Sequence, residues 1–222
     1  MDAKQLAGER AVELIEDGMV VGLGSGTTAF FAIQKIGERV KQGLRITGVC
    51  TSEDTRRLAD KWKIPYKTVD EIEGIDLTID GADEVDPLGN GIKGGGGALL
   101  FEKVVATNSR QNVWVIEQRK LVDQLGAFPL PVEILPFGYR FCLHVLEGMG
   151  LKPRMRMKGG EIYRTDGGHY IADLQTGPIP DPLKLDEELK RIPGIIETGL
   201  FIKKVNKVVV ANNELADIIT FR

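Results

Sequence analysis

A lysine, a run of four glycines and a glutamate occur together in the stretch IKGGGGALLFEK. Glycine loses more backbone entropy on folding than any other residue, so four in a row require a compensating role. These glycines precede a predicted helix that begins near Ala98, and the backbone N–H groups at its start can donate to an anionic ligand. Lys93 stands at the entrance to this loop, and Glu102 lies about one turn inside the helix. A carboxylate partly shielded from water has a raised pKa, which makes Glu102 a candidate general base near neutral pH.

A second glycine-rich stretch, GLGSGTT, lies between a predicted strand and a predicted helix. Its glycines let the backbone approach a ligand, and the N–H groups at the helix start attract an anion. The hydroxyl groups of Ser25, Thr27 and Thr28 add donors, so the loop predicts a phosphate site. The glycines are spaced GxGxG and not GxGxxG, which disfavours a dinucleotide, and the lysine of a Walker loop is missing. The alternative is a glycine-rich turn without a ligand.

Two aspartates, Asp80 and Asp83, lie in the stretch DGADEVD, at the end of a predicted strand. The small residues Gly81 and Ala82 between them allow both carboxylates to line one turn at the edge of a sheet. No histidine lies nearby, so the sequence does not predict a metal site here. The alternative is a solvated acidic loop.

The composition is typical of a soluble globular protein, with 42% hydrophobic and 27% charged residues. A net charge of −3, without a lysine- or arginine-rich run, argues against non-specific nucleic-acid binding. Cys50 and Cys142 have neither CxxC spacing nor a histidine cluster, so neither a disulfide framework nor a zinc site is predicted. The N-terminus lacks the apolar core of a signal peptide, and no apolar run is long enough to span a bilayer. We therefore expect a cytoplasmic protein without a membrane partner that acts on a small molecule.

Strand-like and helix-like segments alternate over the first part of the chain. Apolar residues recur at helical spacing from Ala3 to Glu16, and the strand-like MVVGLG precedes the helix-like AFFAIQKIGERVKQG. The alternation continues through LRITGVC, TSEDTRRLADKWK, DLTIDGADE, ALLFEKVVATNS and NVWVIE, with Thr51 or Ser52 as the predicted N-cap of the third helix. This order predicts an α/β fold with a Rossmann-like, mostly parallel sheet flanked by helices, which binds ligands beyond the carboxyl ends of its strands.

The alternation changes after about Gly126, where the proline-rich stretch AFPLPVEILPFG follows. A helix over YRFCLHVLEGM, short strands in KPRMRMK, EIYRTD and HYIADLQT, and a helix over DPLKLDEELKRI give the order β-α-β-β-β-α. We interpret residues 127–198 as a smaller inserted α+β domain of the ferredoxin-like type. Residues 1–126 and 199–222 then form the α/β catalytic domain.

Five motifs together resemble a known family. GLGSGTT, TSEDTRRLA, DLTIDGADEVD, KGGGGALLFEK and KLVDQLGAFPLPVEILPFG occur in the order typical of ribose-5-phosphate isomerases of the A type, and the resemblance runs on to PGIIETGLF near the C-terminus. It implies a two-domain enzyme that interconverts ribose 5-phosphate and ribulose 5-phosphate without a metal or cofactor, as a homodimer or a dimer of dimers. The sequence departs from the usual pattern at Phe101 and in the turn TDGGHY.

The resemblance also implies roles for individual residues. Glu102 matches the family's catalytic base, Lys120 matches a further substrate lysine, and Lys4 matches a lysine that helps to hold phosphate. The expected catalytic residues are Glu102, Asp80, Asp83 and Lys93. The expected substrate-binding residues are Ser25, Gly26, Thr27, Thr28, Asp80, Gly81, Ala82, Asp83, Lys93, Gly94, Gly95, Gly96, Lys120 and Lys4.

This assignment leads to a mechanistic hypothesis. Glu102 removes the proton from C2 and returns it to C1 on one face of a cis-enediolate. Lys93 and the N–H groups of the glycine loop stabilise the developing oxyanion. Asp80 assists ring opening, Asp83 positions Lys93 or the sugar hydroxyls, and the phosphate contacts hold the reacting carbons in place.

Two other classes of function compete with this hypothesis. A sugar-phosphate-sensing domain of a transcriptional regulator can use a similar α/β scaffold, but the sequence shows no DNA-binding segment and no basic face. A nicotinamide-dependent oxidoreductase is the other alternative, and the GxGxG spacing disfavours it.

Overall fold

The computed structural model describes residues 2–221, which divide into two compact units. The first unit contains the described residues up to Ala82, those from Phe101 to Lys120, and those from Lys204 onward. The second unit contains Asp83–Leu100 and Leu121–Lys203. The α-helices along the chain are α1 (Ala3–Val12), α2 (Thr27–Lys41), α3 (Glu53–Trp62), α4 (Leu99–Thr107), α5 (Tyr139–Gly148) and α6 (Pro182–Lys190).

A six-stranded sheet forms the centre of the first unit. Its strands are β1 (Val20–Leu23), β2 (Thr47–Cys50), β3 (Ile75–Gly81), β6 (Ser109–Glu117), β14 (Lys207–Ala211) and β15 (Ala216–Thr220). They lie in the order β15-β14-β6-β3-β1-β2, and every pairing is parallel except that of β15 with β14. The predicted mostly parallel α/β sheet is therefore confirmed.

Apolar side chains bury this sheet in one large cluster that includes α1 and α2 and in a second cluster that includes Val105 of α4. The strands contribute Val21, Leu23, Leu77, Ile79, Val113, Val115 and Val209, and α1 and α2 contribute Ala7, Ala11, Ala32, Ile33 and Ile36. A parallel strand covered on both faces has a nearly continuous apolar sequence, as β1 and β14 do. The strand order reverses direction between β1 and β3, and at such a switch point the loops diverge and leave a crevice at the carboxyl ends.

Helix α1 is shorter than the predicted helix, which extended to Glu16. It ends at Val12, and the following residues form tighter turns in which Leu14 and Ile15 donate to carbonyls three residues back. The Arg39 side chain of α2 donates to the Val12 carbonyl at 2.7 Å, so this carbonyl at the helix end accepts a second hydrogen bond besides that from Ile15.

The second unit contains three small sheets. A four-stranded antiparallel sheet has β7 (Leu130–Ile134), β8 (Pro153–Met155), β11 (Tyr170–Leu174) and β12 (Ile195–Thr198) in the order β12-β7-β11-β8. The hairpin strands β9 (Met157–Lys158) and β10 (Glu161–Ile162) pair with each other. A third sheet joins β4 (Glu84–Val85), β5 (Gly91–Ile92) and β13 (Leu200–Phe201).

The four-stranded sheet and its helices have the ferredoxin-like topology predicted from the sequence. In chain order the elements are β7, α5, β8, β11, α6 and β12, and the strand order is fourth, first, third, second. Alternate residues of β7, namely Leu130, Val132 and Ile134, share a core with Leu146 of α5 and Leu189 of α6. The sequence did not predict the closing strand β12, because its four residues, IIET, do not alternate between apolar and polar side chains.

The compact units have different bounds from the expected domains 1–126 with 199–222 and 127–198. Residues 83–100 belong to the second unit, because β4 and β5 pair with each other and β5 pairs with β13. Glu84 adds to this attachment, since its carboxylate accepts from the backbone N–H of Gly126 at 2.7 Å and of Phe128 at 2.5 Å. Sequence periodicity does not reveal two-residue strands of this kind.

Among the helices of residues 2–221, none combines the length and the apolar character needed to cross a lipid bilayer.

Candidate active site

Two of the predicted site residues meet at the switch point of the parallel sheet. Strand β1 ends at Leu23 beside Ile79 of β3, so the loop after β1 lies next to the end of β3. There Asp80 Oδ1 accepts the Ser25 N–H at 3.0 Å and the Gly81 N–H at 2.8 Å. Asp80 is only 2% exposed, so it is a buried carboxylate stabilised by backbone N–H donors and not part of a solvated acidic loop.

Gly24 is required for this close approach of the two loops. A Cβ atom added at Gly24 would lie 2.2 Å from Asp80 Oδ1 and 2.5 Å from Asp80 Cα. Because backbone as well as side-chain atoms are in the way, any larger residue would separate β1 from β3. The glycine-rich composition of GLGSGTT therefore has a packing function in addition to any role in ligand binding.

The N-terminus of α2 keeps the character of an anion site. Gly26 is its N-cap with φ of +94°, no side chain caps the helix, and no acidic residue lies in the first turn. Gly26 and Thr27 are exposed, whereas Thr28 is buried at 3% exposure. The exposed helix start and the Thr27 side chain are thus the accessible donors of this loop.

Ser25 belongs to a cluster of hydroxyl groups that the sequence analysis missed. Its Oγ lies 2.8 Å from Thr51 Oγ1, 2.7 Å from Ser52 Oγ and 3.1 Å from Thr55 Oγ1. Thr51 and Thr55 donate in turn to the carbonyls of Leu23 and Gly24, at 3.0 and 2.9 Å. These bonds fix the loop after β1 to the loop after β2, and the parallel pairing of the two strands is what brings them together.

Lys4 and Lys120 both lie near Glu117, the last residue of β6. Lys4 Nζ is 3.8 Å from Glu117 Oε1, and Lys120 Nζ donates to the Ala82 carbonyl at 2.6 Å. The pKa of Glu117 is lowered, first by hydrogen bonds from Arg119 and further by the positive charges of Arg119, Lys4 and Lys120. The carboxyl edge of this strand therefore carries a cluster of cations.

In the second unit, Asp83 supports the other glycine loop. Asp83 Oδ2 accepts the Gly95 N–H at 2.8 Å, and a Cβ at Gly95 would approach Asp83 Oδ1 to 2.9 Å. Gly94 and Gly97 have φ of +106° and +88°, a region that side chains strongly disfavour. The Gly97 N–H donates to the Gly94 carbonyl at 3.0 Å. Two of the N–H groups that were expected to face a ligand, those of Gly95 and Gly97, are thus bonded within the loop.

Lys93 is one of the few buried lysines of the described chain, at 2% exposure. Its backbone N–H donates to the Gly199 carbonyl at 2.9 Å, which joins the end of β5 to the residue before β13. Its Nζ lies 5.3 Å from the centre of the Phe201 ring, within range of a cation–π interaction. Burial of a lysine is costly, so its retention at this position points to a function.

Glu102 lies in the first turn of α4 and is 5% exposed. Phe101 and Val104 on the same helix are 39% and 40% exposed, so these two side chains face solvent, whereas Glu102 and its neighbour Lys103 are buried. This burial agrees with the shielded carboxylate expected of a general base.

No group of three or more histidine, cysteine, aspartate or glutamate side chains is arranged to hold a metal ion within residues 2–221. The expectation of metal-independent chemistry stays a prediction.

Comparison with known proteins identifies the family. The sequence pattern of ribose 5-phosphate isomerase A (phosphoriboisomerase A) matches residues 47–215. The chain belongs to the ribose 5-phosphate isomerase A family. Ribose-5-phosphate isomerase A of Streptococcus thermophilus (strain CNRZ 1066) is 50% identical over 215 residues, which are 96% of this chain and 95% of the relative. The family predicted from the five motifs is thus confirmed.

Solved structures of the isomerase family share this fold. Ribose 5-phosphate isomerase A from Methanocaldococcus jannaschii is 37% identical, with a TM-score of 0.93 and 98% of each chain covered. A D-ribose-5-phosphate isomerase in complex with phospho-erythronic acid is also 37% identical, with a TM-score of 0.95, and the match covers 98% of this chain and 97% of that one.

Proposed function

We propose that this chain interconverts D-ribose 5-phosphate and D-ribulose 5-phosphate through a cis-enediolate. The relatives to which it is similar are named ribose-5-phosphate isomerase A. The observation that carries the proposal is the 50% identity to a curated isomerase over 96% of the chain. The structural likeness to an isomerase bound to phospho-erythronic acid supports it, because that ligand combines a phosphate with a sugar-derived carboxylate. Nothing in the comparisons favours the sensor or oxidoreductase alternatives.

Glu102 is the proposed base. Its carboxylate takes the C2 proton of the open-chain aldose, the electron pair forms the C1–C2 double bond, and negative charge develops on O1. The same carboxyl group returns the proton to C1, while a proton passes from O2 to O1, and this leaves the ketone at C2. A buried carboxylate suits this task, because water competes little for the proton that it carries.

Lys93 and the glycine loop are proposed to stabilise the charge on the enediolate oxygens. A buried ammonium group and backbone N–H donors act more strongly in a water-poor site than in solution, and removal of one such donor costs about 3–4 kcal/mol in other enzymes. The N–H of Gly96 is the candidate backbone donor, because those of Gly95 and Gly97 are bonded within the loop.

Asp80 and Asp83 are proposed to assist ring opening and to position the sugar hydroxyls. Each already supports its own glycine loop, since one accepts from Ser25 and the other from Gly95. We assign both carboxylates a substrate-facing role in addition to this support of the loops.

The phosphate group is proposed to bind at the start of α2, where Gly26 and Thr27 are exposed and the first turn of the helix has no acidic residue. Lys4 and Lys120 add positive charge at the carboxyl edge of the same sheet. Such contacts hold the reacting carbons in place and do not enter the chemistry. We further propose that the enzyme is cytoplasmic and works as a homodimer or a dimer of dimers, as the family resemblance implies.

The test is a coupled assay for ribulose 5-phosphate. Purified protein is given ribose 5-phosphate, and an enzyme that consumes the ketose reports its formation. We expect turnover that scales with protein concentration. The Glu102→Gln protein, purified in parallel, controls for a contaminating isomerase. Ribose 5-phosphate binding without turnover in the unaltered chain would contradict the proposal and favour the sensor alternative.

A further inference from the structure

Arg156 contacts the glycine loop from the side opposite to Asp83. Its Nη1 donates to the Gly94 carbonyl at 2.8 Å and to the Gly95 carbonyl at 3.2 Å. The residue lies between β8 and β9 of the second unit, more than sixty positions along the chain from the loop, so no local sequence pattern predicts the contact. Arg156 takes no part in the proton transfer proposed for Glu102.

The contact determines where the loop's N–H groups point. In a trans peptide the carbonyl and the N–H point in opposite directions. The Gly94 carbonyl points to Arg156, and the N–H of the same peptide, on Gly95, points to Asp83 at 2.8 Å. Because the Gly95 carbonyl also points to Arg156, the N–H of Gly96 is directed away from the guanidinium, toward the side where Asp83 lies.

Asp173 holds the guanidinium in place. Arg156 Nε donates to Asp173 Oδ2 at 3.0 Å, and Nη2 donates to the other carboxylate oxygen, which gives a two-point ion pair. The side chains of Arg156 and Asp173 are only 16% and 23% exposed. A paired, planar guanidinium loses little further entropy when it binds the two carbonyls, so it is suited to orienting them.

We propose that Arg156 is a positioning residue for catalysis: it orients the Gly94–Gly95 and Gly95–Gly96 peptides so that the Gly96 N–H donates to the enediolate oxygen. Arg156 itself does not touch the substrate. The proposal rests on the proposed function, because it needs an oxyanion for the loop to bind. Without the guanidinium, the Gly94–Gly95 peptide keeps its bonds to Asp83 and Gly97, but the Gly95–Gly96 peptide loses the contact to its carbonyl, and its glycines let the peptide plane rotate at little cost.

The test compares Arg156→Met with Arg154→Met. Arg154 is an exposed residue two positions earlier, in β8, and has no place in the proposed site. For Arg156→Met we expect kcat to fall by about 10- to 100-fold, as for a small misplacement of catalytic groups, with KM changed much less. The affinity for phospho-erythronic acid should fall by about 10-fold or more, because a carboxylate uses the same donors as the oxyanion. Arg154→Met should match the unaltered enzyme in both measurements.

A further measurement separates positioning from general loss of structure. Inorganic phosphate, used as a competitive inhibitor, should keep its inhibition constant in Arg156→Met, because its proposed site is the start of α2 in the other unit. If Arg156→Met does not fold, Asp173→Asn serves instead, since it keeps the size of the side chain and removes the charge that holds the guanidinium. We expect kcat of Asp173→Asn to fall also, by less than the fall expected for Arg156→Met.

The outcomes distinguish this proposal from the proposed function. Unchanged kcat and unchanged phospho-erythronic acid affinity in a folded Arg156→Met protein, beside an active unaltered enzyme, would contradict the role of Arg156 alone. Equal losses of phosphate inhibition and analogue affinity would also contradict it, since they indicate a general structural defect. An unaltered chain without isomerase activity would instead contradict the proposed function.

Discussion

Asp80 and Asp83 support their glycine loops in the same chemical way, since in each case one carboxylate oxygen accepts a backbone N–H of the loop. The bonds are 3.0 Å from Ser25 to Asp80 and 2.8 Å from Gly95 to Asp83. Each aspartate therefore has both a structural role in its loop and a proposed role in the reaction. We expect a substitution at either position to disturb the loop conformation and the reaction together.

Glu133 of β7 is a buried carboxylate that the proposed mechanism does not use. Its Oε1 accepts from Thr165 Oγ1 at 2.8 Å and lies 3.0 Å from His169 Nδ1. Burial raises the pKa of Glu133 above the ordinary value of 4.5; the bonds to Thr165 and His169 oppose this shift, and the charge of Glu197 adds to it. The sequence does not predict this pair, because Glu133 and His169 are 36 positions apart along the chain.

We predict that Glu133→Gln removes part of the pH dependence of stability. Because the folded-state pKa is raised, the folded chain binds more protons than the unfolded chain between pH 4.5 and that raised pKa. The free energy of unfolding should therefore fall as the pH rises through this window, and this part of the fall should vanish in Glu133→Gln. Urea unfolding of both proteins at several pH values across this window measures the change in the free energy of unfolding. Parallel curves would show that Glu133 does not titrate in this way.

The loops after β1 and β3 show how elements place the site. A glycine at position 24 lets the two strand ends approach until Ser25 reaches Asp80, and the neighbouring hydroxyl cluster joins the loop after β2 to the loop after β1. The site thus depends on strand register as much as on its side chains.

We predict that Gly24→Ala is destabilising, because the added methyl group has no room beside Asp80. Overpacking of this kind costs about 1–3 kcal/mol of unfolding free energy. Gly74→Ala is the matched control, since a Cβ there meets no atom within 4 Å and the backbone is not in the left-handed region. Urea unfolding should show a large loss for the first protein and none for the second. Equal stability of the two would contradict the packing role of Gly24.

Much of this arrangement could be predicted from local sequence. The strand and helix around GLGSGTT, the cap at Ser52 and the burial of Glu102 all follow from patterns within a few residues. The cluster of Ser25 with Thr51 and the contact of Arg156 with Gly94 could not be predicted, because each joins residues 26 or more positions apart. Strand β15 was also missed, since its exposed edge position removes the alternation of apolar and polar residues that marks a strand.

On the scale of the whole molecule, the proposed catalytic residues come from both compact units. Asp80 and Glu102 belong to the first, Asp83 and Lys93 to the second, and the chain passes between the units at Ala82–Asp83 and Leu100–Phe101. Both of these boundaries lie within motifs that contain proposed catalytic residues, DGADEVD and KGGGGALLFEK.

We predict that the isomerase works without a metal ion. In the proposed mechanism Lys93 and backbone donors polarise the carbonyl, so a Lewis acid is not required. Excess EDTA should leave kcat in the ribulose 5-phosphate assay unchanged, provided that the coupling enzyme is itself metal-independent. Activity lost to the chelator and restored by Mg²⁺ or Zn²⁺ would contradict the metal-free mechanism.

The most direct test of the central claim is kcat of Glu102→Gln, measured together with its affinity for phospho-erythronic acid. Glutamine keeps the shape of the side chain but cannot accept the C2 proton, so we expect kcat to fall by about 10²- to 10⁴-fold while the protein still binds the analogue. Retained binding shows that the site is intact. A Glu102→Gln protein that turns over ribose 5-phosphate at the unaltered rate would contradict the assignment of Glu102 as the base.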